Sequence, residues 1–377
     1  MAACAGSAET DEHSEDANSE RGVSKNCERT GPAAVSIGEF QSTWYPLRTP
    51  DGWVFAEVPS FGGDLFLVDL GGVEQLRTAG PTSDMTQAVS LARHGDAMVL
   101  VQGSGHTESG TTVGVYSIGD DLVVAPSPVV ASFPGTDGLV AYPEWVDTDT
   151  ASTLLLGRSA DSGGSGSNLW LADMDIDTGD SAVQDTGVLV FGGLPRRPKY
   201  NGQGIAFGWP STLTFIRDVS HEVVAIPLDE AVNFQGTPAP APGGWYVLRR
   251  KIDQVDDRWV NRLSITTTDT DFTNAEKWVT VDECAGSYEA CSGGVSEEIW
   301  IESDGGRAAV VWVDPGNSSI LNATVVDERG ARLSCIRSID VNFGHLAGVD
   351  FRDGLLSMVW ENFEDGIQLW SESLDFE

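Results

Sequence analysis

The sequence predicts an all-β fold, a single closed β-propeller of about seven four-stranded blades. Three observations carry this. Short runs of β-branched and aromatic residues alternate with Gly/Asp/Ser/Pro turns from about residue 33 onward. No segment keeps a 3.6-residue apolar period over three turns, so helix is minor. One two-strand unit recurs along the chain, and one further strand stands outside the repeat.

The unit is an apolar strand, a polar loop and a second strand patterned apolar-x-apolar that ends near an acid. Its copies begin with Trp53–Val58 then Asp64–Leu70, Ala97–Gln102 then Thr112–Ile118, and Thr153–Arg158 then Asn168–Met174. They continue with Thr212–Asp218 then His221–Leu228, and Trp245–Lys251 then Trp259–Thr266. The last two are Ala308–Asp314 then Ser319–Val326, and Leu355–Glu361 then Ile367–Leu374. The second strands lie roughly 40–60 residues apart, which leaves each copy room for one strand before and one after. Tryptophans at 145, 170, 209, 300, 312, 360 and 370 fall in or beside these strands and are expected to fill the wedges between blades. Ala33–Phe40 reads as a strand without a blade. Pairing it with the last copy completes that blade and removes an exposed sheet edge. The fourth and fifth copies have irregular first strands, so six or eight blades remain alternatives.

Residues 1–30 read as a separate acidic tether, and 31–377 as the propeller domain. The tether is polar and without apolar period, a composition that stays solvated. Met1-Ala2-Ala3-Cys4 resembles the end of a bacterial lipobox, which implies lipidation at Cys4. Without Cys4, the remaining cysteines (Cys27, Cys284, Cys291, Cys335) form an even set suited to two disulfides in an oxidising compartment. Cys284 and Cys291 would close a small surface loop, and Cys27 would reach Cys335; other pairings stay open. The expected location is exported, in the periplasm or at the outer surface, with a lipid anchor at Cys4 as one means of attachment.

The charge narrows the partners. Fifty-seven acids against 22 bases give −35, a field that repels phosphates and argues against nucleic acid and anionic membranes. No apolar run is long enough to span a bilayer as a helix.

The blade layout resembles the broad class of bacterial exported propellers, the WD40-like and TolB-like repeat proteins. A Gly-His…Trp-Asp signature is absent, so the resemblance implies architecture and an exported setting, and no particular activity.

On a propeller, loops joining second to third strands share one face with loops joining successive blades. That face would gather His106 and Glu108. It would also gather two basic clusters, Arg196, Arg197 and Lys199 with Arg249, Arg250 and Lys251, which could hold the carboxylate or sulfate of an acidic glycan. Pairing of these cations with local acids (Asp253, Asp256, Asp257) is the competing reading. Asp173-x-Asp175-x-Asp177-x-Gly179-Asp180 resembles an Asp-x-Asp-x-Asp loop, which implies Ca²⁺ held by Asp173, Asp175, Asp177 and Asp180. Alternate acids sharing one solvated face explain the same pattern. No other cofactor is suggested. Neither a Gly-x-Ser-x-Gly elbow nor a His-Glu-x-x-His motif occurs, and the five histidines are scattered.

The resulting expectation is a non-enzymatic binding or scaffold module with its ligand on the loop-rich face, a glycan or a protein at the cell surface. A glycan-acting hydrolase or lyase using channel carboxylates, and a calcium-stabilised structural propeller, are the alternatives.

Overall fold

The computed structural model describes residues 33–38, 46–56, 63–80, 88–103, 111–133, 140–148, 152–159, 166–191, 197–209, 212–217, 222–227, 233–234, 236–272, 277–287, 291, 299–341, 345–362 and 366–374. Everything below concerns these residues. They form seven antiparallel sheets arranged as a seven-bladed propeller.

Blade 1 is Leu47–Thr49, Gly52–Ala56, Asp64–Val68 and Glu74–Ala79, in order from the channel outward. Blade 2 is Ala88–His94, Ala97–Gly103, Thr111–Ile118 and Val129–Phe133, and blade 3 is Val140–Asp147, Ser152–Ser159, Gly166–Met174 and Ser181–Phe191. Blade 4 is Lys199–Tyr200, Gly204–Trp209, Thr212–Arg217 and Val223–Pro227. In blade 5 the innermost strand is broken into Asn233–Phe234 and Ala239–Ala241, both paired with Gly244–Val255, followed by Arg258–Asp269 and Val279–Gly286. Blade 6 is Ile299–Ser303, Arg307–Asp314, Asn317–Asp327 and Arg337–Asp340.

Blade 7 contains His345–Arg352, Leu355–Asn362 and Gly366–Ser373, and its outer strand is Val35–Gly38 from the other end of the sequence. The closing register runs Val35↔Leu369, Ser36↔Gln368 and Gly38↔Ile367, with an irregularity between Ser36 and Gly38. The strand left over from the repeat therefore seals the ring. Gly72, at φ +82°, turns blade 1 against it: a Cβ there would meet Val35 Cγ1 at 2.4 Å.

Burial explains which strands announce themselves in the sequence. Middle strands have a neighbouring blade on both faces, so Arg307–Asp314 is buried at every position but its two ends. Outer strands half-face solvent, and Glu74–Ala79 alternates exposed and half-buried positions. Apolar side chains gather into seven clusters, and each one joins two adjacent blades. The seam between blades 1 and 7 is as complete as the rest: Trp53, Phe55 and Phe66 pack on Ala347, Val359 and Leu369, and Trp53 Nε1 donates to Ser357 Oγ at 2.8 Å.

One copy differs from the sequence expectation. Thr212–Arg217 and Val223–Pro227 are the third and fourth strands of blade 4, so the fourth unit is displaced by one strand. Its true second strand, Gly204–Trp209, is as apolar as the third, and the two are separated by only two residues. The pattern therefore fits either pair.

Candidate functional site

The innermost strands bring a charged cluster into the channel. It lies toward the turns that join first to second strands, opposite the face with the loops between second and third strands. Arg48 and Arg352 flank Asp350: Arg352 Nη2 is 2.7 Å from Asp350 Oδ1, and Arg48 Nε is 3.9 Å from Oδ2. Arg93 Nη2 donates to the Arg48 carbonyl at 3.0 Å, and Arg352 approaches the same oxygen at 3.5 Å. Blades 7, 1 and 2 are consecutive around the closed ring, so three guanidiniums converge from three neighbouring strands. From blade 4, Lys199 Nζ reaches over to blade 6, where it pairs with Glu302 Oε2 at 2.7 Å and also donates to the Ile301 carbonyl.

Arg197 crosses the channel. It starts from blade 4 in a left-handed backbone conformation, φ 58°. Its Nη2 reaches the carbonyls of Pro46 at 3.0 Å and Ala347 at 2.9 Å, beside blades 1 and 7, while its guanidinium lies 5.1 Å from the Trp300 ring centroid. Gly348 makes room, because a Cβ there would stand 2.9 Å from Trp53 and 3.3 Å from Arg197 Nη2. Along each inner strand the Arg197 contacts precede Asp350, Glu302 and Arg48. The arginine thus crosses the axis on the side of this cluster away from the first turns.

The electrostatics follow from burial. Desolvation pushes the Asp350 carboxyl above the ordinary carboxylate range; Arg352 and Arg48 oppose this, and the nearby Glu302 carboxylate adds to it. Desolvation likewise holds the Lys199 ammonium and the Arg48 and Arg93 guanidiniums below their ordinary values, and Arg352 adds like-charge repulsion to both arginines. Asp51 and Asp96, on the surrounding turns, act in the other direction. In a chain of net charge −35, five cations meeting two channel carboxylates form a local exception.

The residues singled out in the sequence divide. Arg197 and Lys199 belong to the channel cluster, whereas His106, Glu108, Arg196, Cys4 and Cys27 lie outside the described residues. Arg249, Arg250 and Lys251 point to the flanks of blades 5 and 6: Arg249 lies 4.1 Å from the Trp278 ring centroid, Arg250 is buried and feels Asp282 and Asp314, and Lys251 pairs with Asp253 at 3.2 Å. Cys284 and Cys291 form the expected disulfide, and Cys335 is disulfide-bonded too. That chemistry hints at an oxidising, exported compartment. No helix among the described residues is long and apolar enough to cross a membrane.

The proposed calcium loop is a turn between third and fourth strands. Asp175 Oδ1 accepts from the backbone N–H groups of Asp177 and Thr178, at 2.9 and 3.0 Å, and the Thr178 bonds hold its carboxyl below the usual range. Asp173 accepts from Thr153 Oγ1, and Asp180 from Thr178 Oγ1. Among the described residues no three His, Cys, Asp or Glu side chains are placed to share a metal ion.

Sequence reasoning missed Arg48, Arg93, Glu302, Asp350 and Arg352. A signal was present: an arginine stands just before a Gly/Asp turn in Arg48-Thr-Pro-Asp-Gly52, Arg93-His-Gly-Asp96 and Arg352-Asp-Gly354. It also missed a lock between blades 2 and 3, where Asp147 Oδ1 takes bonds from Trp145 Nε1 and Ser152 Oγ and faces His94 Nδ1 at 3.1 Å.

No family model matches the chain, and no curated protein matches it. Solved structures do. The polysaccharide lyase Uly1 is 10% identical, with 93% of each chain covered and a TM-score of 0.51. An alpha-L-arabinofuranosidase of Fusarium graminearum is 11% identical, covering 91% of this chain and 98% of that one at a TM-score of 0.49. A putative 6-phosphogluconolactonase of Bacteroides fragilis is 15% identical, covering 81% and 86% at 0.47. At these identities the likeness shows the fold. It also corrects one expectation. A propeller without a familiar motif was expected to be a non-enzymatic binding or scaffold module, yet Uly1, whose fold it shares, is named as a polysaccharide lyase, so a missing motif does not argue against chemistry in this fold.

Proposed function

We propose that this chain is a glycan-acting hydrolase or lyase that works with its channel carboxylates on an acidic glycan. The observation that carries the reading is Asp350, a partly buried carboxyl with raised proton affinity, set beside Glu302 and beneath a convergence of arginines. Paired carboxylates in unlike environments divide acid and base roles between them. Asp350, whose proton affinity burial raises, is the proton donor to the leaving glycosidic oxygen. Glu302, ion-paired to Lys199, is the base that activates water or removes a proton next to a sugar carboxylate. The Arg48, Arg93 and Arg352 guanidiniums bind that carboxylate and neutralise charge as it builds.

The test is turnover of uronate-containing and neutral oligosaccharides, followed by reducing ends and by the ultraviolet absorbance of a new carbon–carbon double bond. The expected result is cleavage of the acidic substrates, lowered about 100-fold or more in both Asp350→Asn and Glu302→Gln with the fold retained. Absorbance assigns the lyase route, and its absence alongside new reducing ends assigns hydrolysis. Cleavage that survives both substitutions would sink the proposal, as would a full panel left uncut.

A further inference from the structure

We infer that a second site, a cavity for a neutral, hydroxyl-rich ligand such as a sugar, lies at the seam of blades 6 and 7, at the opposite end of those blades from the channel cluster. It has a volume of about 540 Å³, within the range of small-ligand sites. Asn317 and Ser319 reach it from the start of a third strand, Asp340 from the end of a fourth, Trp360 and Asn362 from the end of a second, and Gln368 from the start of a third.

The wall chemistry specifies the ligand. Each sugar hydroxyl donates once and accepts twice. Asn317, Asn362 and Gln368 bring amides to the wall, in part already bonded within the protein, as Asn317 Oδ1 is to the Ser319 N–H and Asn362 Nδ2 to the Val341 carbonyl; Ser319 adds a hydroxyl, and Asp340 only accepts. Neither Arg nor Lys lines the cavity among the described residues, and Asp340 repels anions. A carboxylate or phosphate is thus disfavoured here, the reverse of the channel.

Trp360 is the second observation. It is 2% exposed and lines the cavity among polar side chains, an apolar wall of the kind that small-ligand sites combine with a few polar groups. The cavity walls are held in place independently of any ligand. Asn362 Nδ2 donates to the Val341 carbonyl at 3.4 Å across the seam, and Val341 N–H donates to the Ser319 carbonyl at 2.8 Å.

The experiment is calorimetric titration of the full chain with cellobiose, maltose, lactose and xylobiose, with glucuronate as the acidic control and tryptophan emission read in parallel. At least one disaccharide should bind and shift the emission, while glucuronate should not bind. Trp360→Phe keeps an aromatic ring but shrinks that wall, and should weaken binding roughly tenfold. Asn317→Ala, at an exposed position, should weaken it without disturbing the core, and Asp340→Asn should admit glucuronate. Failure of all four disaccharides to bind would overturn the inference, as would affinities untouched by both Trp360→Phe and Asn317→Ala. The outcome is separate from that of the channel: binding here should persist in Asp350→Asn, and turnover of short acidic substrates should persist in Trp360→Phe.

Discussion

Acids on the rim of the propeller and acids in its channel have opposite tasks. On the rim, Asp69, Asp175 and Asp327 each follow or end a third strand and spend a carboxylate oxygen on the next turn. Asp69 Oδ1 accepts from the N–H groups of Gly71 and Val73, and Asp327 Oδ1 from those of Arg329 and Ala331. This is the acid that ends the repeated unit, and its role is to satisfy backbone donors. In the channel, Asp350 and Glu302 are met by guanidinium and ammonium groups, and burial raises the first. Residue type says little here; distance from the axis says nearly everything.

Substitution should break this symmetry in a fixed order. Asp350→Asn is expected to abolish most turnover with little change in melting temperature. Asp327→Ala should leave turnover intact and lower stability by about 1–2 kcal/mol, the cost of stranding turn donors, measured by urea denaturation. Loss of turnover in the rim variant, or collapse of the fold in the channel variant, would erase the distinction.

The pH dependence sharpens it. Asp350 has a raised pKa in the folded state, so folding favours its protonated form. That contribution is complete below the ordinary carboxylate value of about 3.9 and disappears as pH rises through the folded-state value. For turnover, the alkaline limb of the kcat/KM profile should belong to Asp350. Arg352 is the largest influence lowering this group, so Arg352→Gln should move that limb to higher pH. A limb that stays in place would assign it to another group.

Calcium offers a smaller contrast. Because the Asp175 turn is closed by its own backbone bonds, as at Asp69 and Asp327, adding Ca²⁺ or chelator should leave the melting temperature unchanged. A clear rise with Ca²⁺ would mean the rim acids do more than cap. The smallest effect is expected at Tyr246, whose buried Oη has no partner among the described residues and whose pKa is pushed up to about 12 by burial. Tyr246→Phe should be neutral or stabilise by up to about 1 kcal/mol in the same denaturation experiment.

The fold was legible because its middle strands are buried on both faces and therefore write continuous apolar runs such as Ala308–Val313. The closing strand was legible as the one segment without a unit. The site was not, because it rides on the innermost strands, and several of these are too short to show alternation: Leu47–Thr49, Lys199–Tyr200 and Ala239–Ala241. Arg197 and Lys199 stood out only as a basic run. Asp350 and Glu302 had no local mark among 57 acids, since what distinguishes them is the neighbours that ring closure supplies. Blade 4 misled because two adjacent strands carry the same pattern.

Arg197 has one further consequence. With its guanidinium bonded to carbonyls on the opposite wall, Arg197 bars the axis at that level. On the proposed function, a polymer could pass along the axis only by displacing that side chain. Under that reading the barrier favours chain ends and short side branches over a strand sliding through.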